Sequence, residues 1–153
     1  MFVHFRELWH VGRLSHNAVK EEIDADRISI RISEKKDDDS SYRWKNKSEK
    51  VDAFIDLFQE TGISIIHAST NHFDELSEET QTFHQLIRNK WNRTLIGVGS
   101  LDFQTAETAI KENLIDLAAF GRPFIANPDL VQKASSNQPI IEYEASKHLT
   151  VLY

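Results

Sequence analysis

Two glycine turns are the places where this chain's residues could do chemistry. Gly99-Ser100 closes the apolar run TLIGVGS (94–100), and Gly121-Arg122 closes IDLAAFGR (115–122). Glycine lets backbone N–H groups approach an anion closely. A helix starting just beyond adds a favourable dipole and unpaired donors. Arg122 would supply a charged fork for a phosphate. Asn127-Pro128-Asp129 reads as a helix start, with a cap, a proline at the first position and an acid in the first turn. On spacing alone, two tight turns with a surface arginine explain the same residues, because isolated glycine motifs are weak evidence.

Other candidate groups point less clearly to a site. The histidines do not form a metal pair: His10 and His16 are six apart, His67 and His72 five apart, and neither matches the i, i+4 spacing of a helical zinc site. His67, at a strand end, is read as structural. Trp9, Trp44 and Trp91 could stack a ring, but packing is the simpler role for Trp9 and Trp44. The KKDDDS run lacks the glycine and terminal glutamate of a calcium loop and reads as a solvated loop.

The elements that must position the two turns follow from periodicity. Five runs are strand-like: HFRELWHVG (4–12), RISIRIS (27–33), ISIIHAS (63–69), TLIGVGS (94–100) and IDLAAFGR (115–122). The last three are short and apolar, as in strands buried on both faces. Between them the spacing predicts helices over Lys47–Thr61, Glu78–Lys90 and Thr105–Asn113. Ser48 is a candidate cap for the first, Gly62 its stop, and Asp102 the cap of the third. This βαβαβα order implies parallel pairing with right-handed crossovers. Two consecutive glycine turns at strand ends are also how the last two loops of a (β/α)8 barrel form a phosphate site. Residues 34–50 read as a charged, solvated βα loop, and 17–27 as a short acidic helix or linker.

Composition narrows the partners. The chain has 153 residues, 40% hydrophobic and 27% charged, as in a soluble domain. A net charge of −6 with no basic face argues against nucleic acid. The absence of cysteine excludes disulfides and thiolate chemistry. No run reaches the length of a membrane span and no signal pattern opens the chain, so a cytoplasmic location is expected.

The full strings carry more than their spacing. GVGS followed by DLAAFGRPFIANPDLV resembles the C-terminal end of the Old Yellow Enzyme family, the FMN-dependent NADH:flavin oxidoreductases. LWHVGRLSH (8–16), RISIRIS and ISIIHAST resemble further motifs of that family, in family order. The resemblance implies an α/β fold, a partial TIM (β/α)8-type barrel of about five parallel strands with covering helices. It forms a single domain over 1–153, with 1–16 as the third-strand motif, 17–26 a linker and 27–153 the C-terminal barrel half. It implies FMN as cofactor and NAD(P)H as reductant. Arg31 matches the arginine at the flavin pyrimidine edge, where a cation stabilises negative charge on the reduced ring. Gly99 and Ser100 match the first phosphate turn, and Gly121 and Arg122 the second. Glu7 stands where the family has a glutamine at the flavin ring. An ionised glutamate only accepts hydrogen bonds, so this ring contact departs from the pattern.

Several family segments have no counterpart in this sequence. These are the opening strand with its Ala-Pro-Met-like flavin segment, the second strand, and the fourth-strand segment with the substrate-anchoring pair and proton-donating tyrosine. A complete barrel needs about 250 residues. The expectation is an FMN-binding, ene-reductase-like oxidoreductase with impaired catalysis. The alternatives are a non-catalytic half-barrel interaction module, oligomeric through its exposed sheet edges, or a decayed gene product.

Overall fold

Alternation in RISIRIS becomes the first strand. β1 (Ser29–Ser33) packs Ile30 and Ile32 against the helical layer and leaves Ser29, Arg31 and Ser33 on the opposite, open face. The computed structural model describes residues 19, 21–35, 42, 44–77 and 80–149. A single 3-10 turn, Ala25–Arg27, precedes β1. The chain then runs α1 (Lys47–Thr61), β2 (Ile65–Ser69), α2 (Phe83–Arg88), β3 (Thr94–Val98), α3 (Phe103–Lys111) and β4 (Leu117–Ala118). Three short helices follow: α4 (Arg122–Ala126), α5 (Leu130–Ser135) and α6 (Ala145–His148).

The four strands form one parallel sheet in the order β1-β2-β3-β4. Because every strand points the same way, all C-terminal ends share one rim. Register places Arg31 beside His67, and His67 beside Ile96, on the open face. The other face is the core. Val51, Ile55 and Phe58 of α1 and Phe83, Leu86 and Ile87 of α2 bury their side chains against Ile66, Ala68 and Leu95. Burying each large side chain contributes roughly 2 kcal/mol. Trp91 is fully buried, its indole N–H donating to the Thr94 carbonyl at 2.9 Å. Trp44 stacks on Phe54 at 5.3 Å and meets Phe83 edge-on, so it too packs against the core.

The opposite end of the sheet is locked by one arginine. Arg88 Nε donates to the Leu114 carbonyl at 3.1 Å, and Nη1 to the carbonyls of Trp91 and Arg93. Its Nη2 donates to Asp116 Oδ2 at 2.6 Å, and that same oxygen accepts the Leu95 N–H at 2.7 Å. Loops after β3 and β4 lie at the far rim, so this lock is separate from them.

Helix boundaries depart from the sequence expectation where side chains compete for the termini. α1 spans the expected residues and stops at Gly62, whose φ of 82° is left-handed. Ser48 is not its cap. Asn46 holds that position at φ 52°, and its Nδ2 donates to Glu49 Oε2 at 3.0 Å. α2 begins at Phe83 rather than Glu78, because Thr82 and Gln85 form a reciprocal capping box. It ends at Arg88, not Lys90. α3 keeps Asp102 as its cap, with Oδ1 accepting the Thr105 N–H at 2.7 Å, but runs over Phe103–Lys111. β4 shrinks from the expected 115–122 to Leu117–Ala118, with β3 as its partner. Ile115 is buried in the core instead, and Asp116 is held by Arg88. The described residues thus hold four strands of the expected five. The run 4–12, with Glu7, Trp9 and His10, lies outside them, as does His16.

The charged loop after β1 is not wholly solvated. Glu34 is buried, pairs with Lys47 Nζ at 3.0 Å and accepts a hydrogen bond from Ser77 Oγ. Lys47 Nζ also donates to the Ser77 carbonyl at 2.5 Å. Removing the Lys47 charge would leave the Glu34 carboxylate buried without its counter-charge, and the trio joins the loop after β1 to the loop after β2.

Candidate functional site

The site grows from the strand ends. β3 runs out at Val98, and the next two residues turn away at once. The Gly99 carbonyl accepts the Phe73 N–H at 2.8 Å, and Ser100, at φ 51°, donates its hydroxyl to the Asn71 carbonyl at 2.8 Å. A Cβ on Gly99 would collide with Thr70 Oγ1 and lie 2.8 Å from the Phe73 backbone nitrogen. Glycine is required there by the close approach of the neighbouring loop.

Gly121 differs. A Cβ built on it meets nothing within 4 Å, and its φ of −88° is open to any residue. Its hydrogen atom in place of a side chain keeps space clear rather than relieving strain. Among the described residues, the N–H groups of Gly99, Ser100 and Gly121 donate to no protein acceptor, and the Arg122 guanidinium has no partner.

These turns line a cleft of about 910 Å³ that also takes in Arg31, Ser69 and His72. The structure therefore brings Arg31, Gly99, Ser100, Gly121 and Arg122 to one cavity. Arg31 reaches it from mid-strand, its Nη2 donating to Ser69 Oγ at 2.8 Å. Burial and then the Arg31 charge lower the pKa of neighbouring His67. Both effects disfavour a second positive charge beside Arg31. Glu7 lies outside the described residues. Among those residues, no group of three or more His, Asp or Glu side chains comes together to hold a metal, and no helix is long and apolar enough to cross a membrane.

Asn127 is not the helix cap expected from Asn-Pro-Asp. It is fully buried, and its Nδ2 donates to the carbonyls of Pro123 and Ile141 at 3.0 and 2.8 Å. Its Oδ1 accepts from the Ile141 N–H and from Lys133 Nζ at 2.8 and 2.9 Å. Arg122 opens α4 itself, and α5 starts later, after Asp129. The fourth wall of the cleft, residues 140–143, has no signal in local periodicity. Its only sign in the sequence is Asn127, an amide that can pair with both backbone groups of a distant residue.

Similarity to known proteins points the same way as this geometry. The model of the NADH:flavin oxidoreductase / NADH oxidase family matches residues 16–140. The chain belongs to this family. A 12-oxophytodienoate reductase-like protein of Solanum lycopersicum is 32% identical over 133 residues, covering 87% of this chain and 35% of that protein. 12-Oxophytodienoate reductase 2 of Arabidopsis thaliana is 28% identical over 137 residues, with 88% and 36% covered. The chain thus spans about a third of the length of these curated relatives. In three dimensions it is similar to morphinone reductase, solved in complex with tetrahydroNAD, with a TM-score of 0.78 and 22% identity over 95% of this chain and 38% of that one. Old yellow enzyme of Trypanosoma cruzi gives 0.76 at 21% identity, over 92% and 36%. The parallel sheet and its covering helices are therefore part of the family's barrel, and the cleft lies at the rim where a barrel carries its site.

Proposed function

We propose that the chain binds FMN in this cleft and is an NAD(P)H-dependent oxidoreductase of ene-reductase type. The observation that carries the proposal is the cradle at Gly121. Space for a ligand atom lies above a backbone with free N–H groups, beside an arginine that, among the described residues, has no protein partner. Gly99, Ser100, Gly121 and Arg122 would hold the phosphate with charge-assisted bonds. Arg31, oriented by Ser69, would stand at the pyrimidine edge of the ring. When bound, FMN supplies hydride transfer, the chemistry that protein side chains cannot provide. The chain's own contribution is to bind the phosphate, hold a cation at the ring edge and fix the cofactor's orientation.

Turnover is expected to be low, because the substrate-anchoring pair and proton-donating tyrosine of the family have no match in this sequence. FMN titration followed by absorbance and thermal melting tests the binding. A ligand that binds only the folded state raises the melting temperature. No shift at saturating FMN would remove the cofactor from this reading.

A second reading rests on the β4 edge. Leu117 is 54% exposed beside a groove formed with Phe103 and Ile110, and four parallel strands are half of an eight-stranded barrel. Self-association through this edge would cover it. Sedimentation velocity showing only monomer at tens of micromolar concentration would exclude it.

A further inference from the structure

We propose that Asn127 is a positioning residue that latches residues 140–143 in place as the outer wall of the cleft. The wall's role toward a ligand rests on the FMN reading. Its geometry does not.

Residues 138–144 carry no helix or strand, and Ile140 and Ile141 are 39% and 55% exposed. Such a segment has little apolar burial to hold it against the sheet. Yet Ile140, Ile141, Glu142 and Tyr143 all line the cleft.

Among the described residues, the hydrogen bonds that hold them come from one side chain. The Asn127 amide pairs with Ile141 twice, donating to its carbonyl at 2.8 Å and accepting its N–H at 2.8 Å. That is the pairing a strand would give a neighbouring strand, made by a side chain. The amide is itself held in orientation. Its second donor goes to the Pro123 carbonyl at 3.0 Å, and its oxygen also accepts from Lys133 Nζ at 2.9 Å. Every polar direction of the amide is thus assigned, and it is fully buried. The helix that supplies Pro123 begins at Arg122, one residue after the Gly121 cradle. So the latch ties the wall directly to the turn that it faces.

The function that follows is retention. A ligand held by Gly121 and Arg122 would leave through the side that this segment closes. Releasing the segment would speed dissociation more than it slows association.

Two variants of the full chain test this. Asn127→Ala removes every bond made by the amide. Asn127→Asp keeps the shape and the acceptor but loses both donors, and it serves if the alanine variant does not fold. Hydrogen exchange without ligand is the first readout. We expect the Ile141 amide to exchange at least tenfold faster in Asn127→Ala, while those of Ile66 and Leu95 keep their protection. FMN release is the second, expected to be about tenfold faster, the scale of a lost pair of buried hydrogen bonds. Unchanged exchange at Ile141 would overturn the latch. Faster exchange with unchanged FMN release would overturn its role as a wall. Wild-type protein that takes no FMN would sink the cofactor reading instead, and the exchange comparison would still decide the latch.

Discussion

Arg31 and Ser69 sit on neighbouring strands and are joined by a 2.8 Å hydrogen bond from the guanidinium to the hydroxyl. Arg31 is exposed on the open face, so without that bond its long side chain would sample many rotamers. The serine sets where the charge points. Ser69→Ala is expected to weaken FMN binding about threefold to tenfold, and Arg31→Ala more than that, by fluorescence titration. Equal affinity in wild type and Ser69→Ala would show that the hydroxyl does not orient the arginine.

The two cradle glycines should answer differently to the same change. Gly99→Ala drives a methyl group into the Phe73 backbone and should destabilise the fold by roughly 1–3 kcal/mol. Gly121→Ala meets no protein atom, so its melting temperature should stay within about a degree or two of wild type while FMN affinity falls at least tenfold. Denaturant melts beside FMN titrations separate the two. A Gly121→Ala protein that binds FMN normally would mean the open space is not a ligand's.

His84 makes stability depend on pH. It is fully buried, its Nε2 lies 3.2 Å from the Ala68 carbonyl, and Phe73 lies over its ring at 4.2 Å. Burial, only partly offset by that carbonyl, lowers its pKa to about 4 from 6.5. The unfolded chain therefore takes up a proton below pH 6.5 that the folded chain refuses until about pH 4. Stability should fall as pH drops through that window, by roughly 3 kcal/mol in total, and this contribution should level off below it. In His84→Leu this part of the slope should vanish, measured as urea midpoints from about pH 7.5 to 4.

Arg88 predicts the reverse of Gly121. Its donors satisfy three carbonyls and Asp116 at the end of the sheet away from the cleft. Arg88→Ala should cost about 2–3 kcal/mol, because those groups lose partners in a half-buried place. FMN affinity of the folded fraction should be unchanged. A large affinity loss at full folding would place Arg88 in the site's machinery.

Much of this architecture is legible in the amino-acid sequence, and the limits have physical causes. Strong periodicity places α1 over its full length, because Val51, Ile55 and Phe58 fall on one face and Gly62 supplies the left-handed stop. Parallel order follows from alternation of strands and helices. The start of α2 departs from its periodicity because the capping box Thr82–Gln85 sets the first turn. Asn127 misleads more deeply. Asn-Pro-Asp is a sound local helix signal, but a tertiary partner fourteen residues away claims the amide. Glu34 shows the same thing, since a charge in a polar stretch is buried only when Lys47 and Ser77 come to meet it. Arg31, Gly99, Ser100, Gly121 and Arg122, singled out by resemblance, do line one cleft. What no local pattern carries is the difference between Gly99, which is hemmed in, and Gly121, which is not.

The parallel sheet divides the molecule's labour. Residues that keep it folded, Arg88 and Asp116, stand at one end, and residues that would meet a ligand stand at the other. Substitutions at the ligand end can therefore change what is held while leaving folding intact. The exceptions are the few positions, such as Gly99, where loop packs on loop. Drift at that rim would erase binding long before it erased shape, so holding a ligand and keeping a fold are separable properties of this chain.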